Sequence, residues 1–264
     1  MLTVPSTKEE PTPQQRSSIT CYLGHVENTE GEQNGLHDAR IAVIGVGGTG
    51  CALLPLLVPL PLKTITLIDG DTVERSNLPR QPLYGQRDVG KPKVVCARYR
   101  MGAVAPLGSQ MEVVPHFIDA NNCLELLKDH ALVADCTDDL DARKLIASTC
   151  SELGIPLVSG AVHGMQVQVT TVDVRAQGSG SNSAFFQGFP AEEQTRCDMR
   201  IVPAAVTTIT ASLMALRIED LLRGGHGHAG MMDLLDIATG RWMRIMGPTG
   251  GAIMDSPIKP QHHV

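Results

Sequence analysis

Short apolar segments alternate with amphipathic ones along most of the chain, as they do where strands alternate with helices. Apolar or alternating runs predict six strands, at residues 41–44, 64–68, 111–117, 131–136, 157–159 and 165–174. Helical periodicity predicts helices between them, at residues 50–62, 93–104, 121–130 and 137–153. This order indicates an α/β fold: a doubly wound, Rossmann-like, mainly parallel sheet with helices on both faces.

Proline and glycine adjust this pattern. Pro55 and two further prolines interrupt the first helix, so we expect only about two turns before the chain returns irregularly to the second strand. Pro203 opens a long helix that reaches Leu222, where two glycines follow. A hairpin with strands at 234–236 and 242–246 then adds antiparallel strands at the C-terminal end of the fold.

Polar composition sets the predicted domain limits. Residues 1–38 hold too few apolar side chains to pack alone, and we expect a flexible N-terminal arm. Residues 39–247 are predicted to form a single domain. Within it, residues 177–198 are rich in Gly, Ser and Asn and predict a mobile crossover loop. Residues 248–264 are predicted to be a polar tail.

Charge and composition argue against several classes of function. The net charge is −6 and no basic stripe occurs, so we expect no nucleic-acid binding. We find no long apolar run that could span a membrane, and the N-terminus lacks the apolar core of a signal peptide. We therefore expect a cytoplasmic protein. The seven cysteines are scattered without a Cys-x-x-Cys pair, which predicts buried thiols and no bound zinc.

A glycine-rich turn follows the first strand. Gly45, Gly47 and Gly50 match the dinucleotide-binding fingerprint, with Gly48 between them. Asp69 ends the next strand, at about the distance expected for an acid that holds a ribose. Glycines let the backbone approach a phosphate, and the helix N-terminus offers it free N–H donors. This turn alone does not distinguish NAD, FAD and ATP, and a tight turn without a ligand is the alternative.

The polar residues that follow narrow the choice. Four further motifs come after the glycine turn: Asp69-x-Asp71, Ser76-Asn77-Leu78-x-Arg80-Gln81, Lys91-Pro92-Lys93 and Cys136-Thr137-Asp138. In this order and spacing the set resembles the ThiF/MoeB/HesA family, the bacterial relatives of ubiquitin-activating enzymes, over about residues 31–222. Members of this family adenylate a carboxylate with ATP, often the C-terminus of a small ubiquitin-like sulfur carrier, and release pyrophosphate.

The resemblance implies a role for each polar residue. Charge builds up on the phosphate oxygens when a carboxylate attacks the α-phosphate, so fixed cations and Mg²⁺ stabilise the transition state. By resemblance, Arg80 and Lys93 supply the cations and Asp138 holds Mg²⁺. The implied nucleotide contacts are Asp69 to the ribose and Asn77 to the phosphates, with Gly45, Gly47, Gly48, Gly50 and Asp71 lining the site.

Each of these polar residues also has a purely structural interpretation. Asp69 could simply end a strand, and Lys93 could be a solvated helix start. Arg80 could pair with Glu74 on the surface. Asp138 could be only a helix cap, because aspartate accepts hydrogen bonds from the free backbone donors of a first turn.

Cys197 is a separate candidate, between Arg196 and Arg200 and just before the helix that Pro203 opens. In several family members a cysteine at the matching place forms a thioester or a persulfide with the carrier. The arginines and the helix N-terminus would favour the thiolate, whereas Asp198 opposes it. A catalytic thiol and an unreactive, half-buried thiol are both open.

Two features depart from the family pattern. The N-terminal Arg-Tyr-x-Arg-Gln motif, whose arginine reaches the ATP of the partner subunit, is absent, and so are the paired zinc-binding cysteines. We therefore expect a divergent member and, by resemblance, a homodimer. Its substrate would be the C-terminus of a ubiquitin-like sulfur carrier or, alternatively, a peptide carboxylate in natural-product biosynthesis. A non-catalytic partner subunit is a third hypothesis. An NAD-dependent oxidoreductase, with His163 as its lone acid–base candidate, is a fourth.

Overall fold

A computed structural model describes residues 36–106, 109–176 and 202–247, together with the backbone of 253–255. The strands, in chain order, are β1 (Arg40–Ile44), β2 (Thr64–Ile68), β3 (Gln110–Val114), β4 (Leu132–Asp135), β5 (Leu157–His163), β6 (Gln166–Val172), β7 (Met231–Asp236), β8 (Arg241–Met246) and β9 (Ile253–Asp255). The main helices are α1 (Gly48–Leu57), α2 (Lys93–Gly102), α3 (Cys123–Leu127), α4 (Leu140–Leu153) and α5 (Ala204–Leu222). Two short 3-10 helices, Arg75–Asn77 and Gln86–Asp88, lie between β2 and α2.

Within the described residues, nine strands form one sheet in the order β3-β2-β1-β4-β5-β6-β7-β8-β9. From β3 to β5 all neighbours pair in parallel. From β5 to β9 all neighbours pair antiparallel. The strand order reverses at β1, which lies between β2 and β4. The predicted doubly wound α/β sheet with added C-terminal antiparallel strands is confirmed.

Side chains of the central strands alternate between two apolar cores, one on each face of the sheet. On β1, Ile41 and Val43 pack in the core that also contains α1, α2 and α5. Ala42 and Ile44 pack in the other core, with α3 and α4. All four side chains are buried. A strand covered on both faces is apolar at successive positions, which explains the unbroken apolar run from which β1 was predicted.

Helix α1 is longer than its prolines predict. It runs for ten residues, nearly three turns, and passes through Pro55. Proline lacks the N–H that a helix interior uses, and this costs stability. Seven of the ten residues are buried, and α1 packs along α5, so burial offsets the missing bond. Neither α1 nor any other helix in the described part of the chain is long and apolar enough to cross a membrane.

Two short stretches near the predicted domain limits form regular structure. Residues 36–38 belong to the predicted arm, but they form a helical turn with Leu36 buried. Strand β9 falls within the predicted polar tail, and it pairs with β8 at the edge of the sheet. Residues 1–35, the predicted loop at 177–198 and the rest of the tail lie outside the described residues, so those limits stay predictions.

Candidate active site

A cleft of about 280 Å³ opens where the carboxyl ends of β1, β2 and β4 meet. Parallel α/β sheets bind ligands at this edge, at the point where the strand order reverses. The predicted site residues that line the cleft are Gly45, Gly47, Gly48, Asp69, Asp71, Asn77, Arg80, Lys93 and Asp138. Gly50 is buried beneath the glycine turn, and Cys197 lies outside the described residues.

The glycine turn requires glycine at two positions. Gly45 has a left-handed backbone, with φ +84°, and a Cβ atom there would lie 2.9 Å from the carbonyl oxygen of Cys136. A Cβ atom on Gly50 would overlap the carbonyl oxygen of Gly45. Gly50 therefore closes the turn from within α1. Gly47 precedes α1 without a side-chain cap, which leaves the first N–H groups of the helix available to an anion.

Asp69 fixes the glycine turn to the end of β2. Its Oδ2 accepts the N–H of Val46 at 2.7 Å, and its Oδ1 accepts the N–H of Asp71 at 2.8 Å. Asp69 thus does more than end a strand. A carboxylate has about four acceptor positions and these bonds use two, so the buried side chain can still accept a hydroxyl.

Lys93 lies in the wall of the cleft and is not a solvated helix start. Its side chain is 7% exposed, and its Nζ lies 2.7 Å from Oδ2 of Asp71, whose side chain is 52% exposed. An ammonium group has three N–H donors. Two of them therefore stay available to phosphate oxygens next to the glycine turn.

Arg80 and Asn77 reach the cleft from the 3-10 turn after β2. Nη1 of Arg80 donates to the carbonyl oxygen of Ser76 at 3.0 Å, which holds the guanidinium beside the turn. The carboxylate of Glu74 accepts instead from the hydroxyl of Ser76, at 3.0 Å. Asn77 is buried, and its Nδ2 donates to the same hydroxyl. The surface pair between Arg80 and Glu74, which was the structural alternative, is not formed among the described residues.

Asp138 is exposed at the mouth of the turn that leads into α4. The cap of α4 is Asp139, whose Oδ1 accepts the N–H of Ala142 at 2.8 Å. The predicted alternative role of Asp138 as the cap is therefore taken by its neighbour. Within the described ranges Asp138 has no hydrogen-bonding partner and no three acidic, His or Cys side chains cluster around a metal position. A lone carboxylate fits Mg²⁺, which proteins hold with one or two carboxylates and the substrate's phosphates.

A buried polar cluster supports the turn that carries Asp138. Asp135 accepts the N–H and the hydroxyl of Thr137, at 2.9 and 2.7 Å, and the hydroxyl of Ser159 at 2.6 Å. Arg143 donates to the hydroxyl of Ser159 at 3.1 Å and to the carbonyl oxygen of Gly160 at 2.7 Å. It also donates to the carbonyl oxygen of Thr137. Nη1 of Arg143 lies 3.8 Å from Oδ2 of Asp135, so the two buried charges form an ion pair.

Arg143 and Ser159 were not among the predicted site residues, although the sequence contains one indication of this cluster. Arg143 falls on the stripe of α4 that Ile146, Ala147 and Cys150 bury against the sheet. A charged side chain on such a stripe needs a buried partner. The helical pattern thus predicts that Arg143 forms a buried ion pair, but it does not predict with which residue.

The cleft also has an apolar part, none of whose residues was among the predicted site residues. Ile44, Ile68 and Ile118 line it. Phe117, just beyond β3, is 64% exposed, and its ring lies so close to Gly70 that a Cβ atom there would lie 2.5 Å away. Next to the polar wall formed by the cations, this part offers a flat aromatic surface to a planar apolar group.

The other candidate nucleophiles and bases contribute little in the described part of the chain. Burial raises the pKa of the Cys51 thiol to about 12 and also raises the pKa of Cys136. Both thiols are therefore protonated at neutral pH. Cys51 is buried, as predicted for the cysteines, whereas Cys136 is half-buried and lines the cleft. His163 ends β5 at an exposed hairpin and does not line the cleft.

Comparison with known proteins identifies relatives of the chain. Residues 23–248 match the family model described as ThiF family. The chain is 32% identical to molybdopterin-synthase adenylyltransferase of Escherichia coli over 210 residues, 78% of this chain and 82% of that protein. It is 39% identical to the Salmonella typhimurium protein of the same name over 145 residues, 54% of this chain and 57% of that protein. Adenylyltransferase and sulfurtransferase MOCS3 of Drosophila willistoni is 31% identical over 80% of this chain and 46% of its own length. The chain thus spans about half the length of these last two relatives.

Solved structures share the fold. E. coli MccB superposes with a TM-score of 0.74 at 16% identity, over 99% of this chain and 78% of that one. MccB with ATP gives 0.72 at 16% identity, over 92% and 74%. PaaA gives 0.71 at 22% identity, over 93% and 77%. At these identities the similarity establishes the architecture of the chain.

Proposed function

The chain belongs to the ThiF family, and on that premise we propose that it adenylates a carboxylate with ATP and releases pyrophosphate. One observation carries the proposal: a single cleft at the reversal of strand order combines the glycine turn, Asp69, two cations and Asp138. An oxidoreductase would need an acid–base group at this cleft, and His163 lies elsewhere. Arg80 and Lys93 lie in the same cleft as the glycine turn, where they can contact phosphate groups. This argues against a non-catalytic subunit.

The reaction is a displacement at phosphorus. A carboxylate oxygen of the substrate attacks the α-phosphorus of ATP, and the bond from that phosphorus to the bridging oxygen breaks. The electron pair leaves with pyrophosphate, and the carboxylate becomes an acyl-adenylate. Negative charge spreads over the phosphate oxygens in the transition state, where Arg80, Lys93 and the N-terminus of α1 stabilise it. Asp138 would hold Mg²⁺, which supplies further charge neutralisation when bound.

In this proposal the nucleoside binds between Asp69 and the apolar part of the cleft. Asp69 accepts hydrogen bonds from the ribose hydroxyls with its unused acceptor positions. The adenine base packs in the apolar part of the cleft, against Ile118 and the exposed ring of Phe117. Asn77 helps to position the phosphates between these groups and the cations. The nucleotide then spans the cleft from its apolar part to its cationic wall.

The proposed substrate is the C-terminus of a small ubiquitin-like sulfur carrier, as the names of relatives that include "Sulfur carrier protein adenylyltransferase" suggest. A peptide carboxylate is the second candidate, since the sequence lacks the Cys-x-x-Cys pairs that zinc-binding family members carry. The assembly is a cytoplasmic homodimer in this proposal. Cys197 stays a candidate for a later thioester or persulfide step.

Calorimetry with Mg-ATP and, separately, with NAD tests the proposal. Wild type should bind Mg-ATP, and Asp69→Ala should lose most of that affinity because the ribose contact and the anchor of the glycine turn both disappear. Asp129→Ala, an exposed acid before β4 at the opposite edge of the sheet, should bind as wild type does. Pyrophosphate exchange with carriers and with peptides then separates the two substrates. Binding of NAD and not ATP would overturn the proposal.

A further inference from the structure

Thr137 is held at every polar group it has. Its N–H and its hydroxyl donate to Oδ1 of Asp135, and its carbonyl oxygen accepts from Nη2 of Arg143. That carbonyl and the N–H of Asp138 belong to one planar peptide unit. The bond from Arg143 therefore fixes the rotation of the peptide plane from which Asp138 emerges.

The other side of Asp138 is fixed as well. Asp139 caps α4 with its side chain, and its carbonyl oxygen accepts the N–H of Arg143 at 3.1 Å. Asp138 thus stands between two anchored residues while its own carboxylate is exposed and unpartnered among the described residues. A backbone held this firmly fixes the direction of the Cα–Cβ bond of Asp138, and with it the side of the turn from which the carboxylate extends.

From this geometry we infer that Arg143 is a positioning residue: it orients the Asp138 carboxylate toward Mg²⁺ and the ATP phosphates. The inference rests on the proposed function and deepens it. Arg143 never touches the nucleotide, because it is buried and bonded to Thr137, Ser159 and Gly160. It acts by tying the turn before α4 to strand β5. Some residues orient a metal-binding side chain without contacting the metal. Altering such a residue typically lowers metal affinity or activity by about 10- to 100-fold.

Arginine suits this task because its planar fork serves several acceptors at once. Nη1 and Nη2 of Arg143 reach one hydroxyl and two carbonyl oxygens on different parts of the chain. Lysine keeps the charge that neutralises Asp135, but as a point donor it cannot reproduce the fork. Arg143→Lys therefore separates charge neutralisation from the geometry that holds Thr137.

A double-mutant cycle tests the inference by binding alone. ATP affinity is measured calorimetrically with Mg²⁺ and with a chelator, for wild type, Arg143→Lys, Asp138→Asn and the double variant. The matched control is Arg217→Lys, which alters another buried arginine that is paired with an aspartate, Asp233 on β7. Ser159→Ala is a milder second variant, since it removes only the hydroxyl between Asp135 and Arg143. Circular dichroism confirms that each variant is folded.

Arg143→Lys should reduce the Mg²⁺-dependent gain in ATP affinity by about tenfold and leave binding without Mg²⁺ nearly unchanged. In the Asp138→Asn background the same substitution should have no further effect on that gain, because coupled residues are not additive. Arg217→Lys should leave the gain intact. If Arg143→Lys does not fold, Ser159→Ala decides, with a smaller loss of the same kind.

The inference is overturned if folded Arg143→Lys, or Ser159→Ala in its place, keeps the full Mg²⁺-dependent gain. It is also overturned if Arg143→Lys and Asp138→Asn act additively. A different result identifies failure of the proposed function: wild type then binds no ATP, or binds it equally with and without Mg²⁺.

Discussion

Two buried carboxylates are each held by arginine, one in each half of the sheet, and they are held in different ways. In the antiparallel half, Asp233 accepts from Arg217 at 2.6 Å, Arg244 at 2.8 Å and Trp242 at 3.1 Å. All three donors are side chains, and they join α5 to β7 and β8. In the parallel half, three of the six hydrogen bonds of the Asp135 and Arg143 side chains go to backbone atoms, and two of these three are the N–H and the carbonyl oxygen of Thr137, in the turn before α4.

The difference shows that a buried ion pair by itself does not indicate a functional site. It does so only when the backbone that it fixes carries a side chain of the site. The Asp233 cluster is closed: none of its members lines the cleft, and it fastens one helix to two strands. The Asp135 cluster ends at Thr137, beside an exposed acid in the cleft. Buried ion pairs contribute little net stability compared with apolar replacements. The pair in the parallel half is therefore best explained by the turn that it fixes.

The largest expected effect is on stability, for a variant that disrupts the Asp233 cluster. Arg217→Met leaves Asp233 buried without its most buried partner, and removing one member of such a pair costs about 3–5 kcal/mol. The free energy of unfolding, measured in urea, should fall by that amount. ATP affinity of the folded protein should stay at the wild-type value, because the cluster lies outside the cleft.

Arg244→Met is the matched control for this variant. Its side chain is partly exposed and pairs with the same carboxylate, so the loss in unfolding free energy should be clearly smaller. If Arg217→Met lowers ATP affinity in the folded state, the antiparallel half contributes to the site and the comparison between the two clusters fails.

Lys93→Met should have the converse effect. Removing one preorganised cation from the developing phosphate charge should slow pyrophosphate exchange by about 100- to 1,000-fold. The unfolding free energy should change by less than about 1 kcal/mol, since its partner Asp71 is half exposed and water can solvate the unpaired carboxylate. Lys63→Met, at an exposed position before β2, should leave both quantities unchanged. Normal exchange in Lys93→Met would contradict the cationic role.

The parallel half could be predicted from the sequence because its signals are local. An apolar run, a glycine turn and an acid at a strand end lie within thirty residues in β1, α1 and β2, and the structure follows them closely. The length of α1 was underestimated because the cost of Pro55 is local, whereas the burial that offsets it comes from α5, about 150 residues later.

The position of a candidate site residue could be predicted where the residue occurs in a motif, but not where it depends on a partner far away in the sequence. Asp69, Lys93 and Asp138 occur in motifs and line the cleft. Arg143 and Ser159 are sixteen residues apart on different elements, and only the packing of α4 against β5 brings them together. Phe117 was missed for a similar reason, because its place beside Gly70 depends on the pairing of β2 with β3.

The smallest expected effect is a loosening of the Asp233 cluster at low pH. Burial alone would raise the pKa of Asp233, but hydrogen bonds from Arg244, Arg217 and Trp242 outweigh burial, and the pKa lies below its ordinary value of 3.8. A carboxyl group with a lowered pKa contributes stability that is complete above the ordinary value and lost as the pH falls through the lowered one. The cluster should therefore be intact from neutral pH down to about pH 4 and loosen only below it.

Trp242 reports this change directly, because it is the only tryptophan in the chain and it donates to Asp233. Its fluorescence should stay constant on acidification until the pH falls below about 4. Arg244→Met should move the change to higher pH, since one of the bonds that lower the pKa is lost. Far-ultraviolet circular dichroism separates this local event from acid unfolding of the whole domain. A fluorescence change at the same pH in both proteins, or one that always coincides with loss of helix, would mean that Asp233 does not titrate as part of a closed cluster.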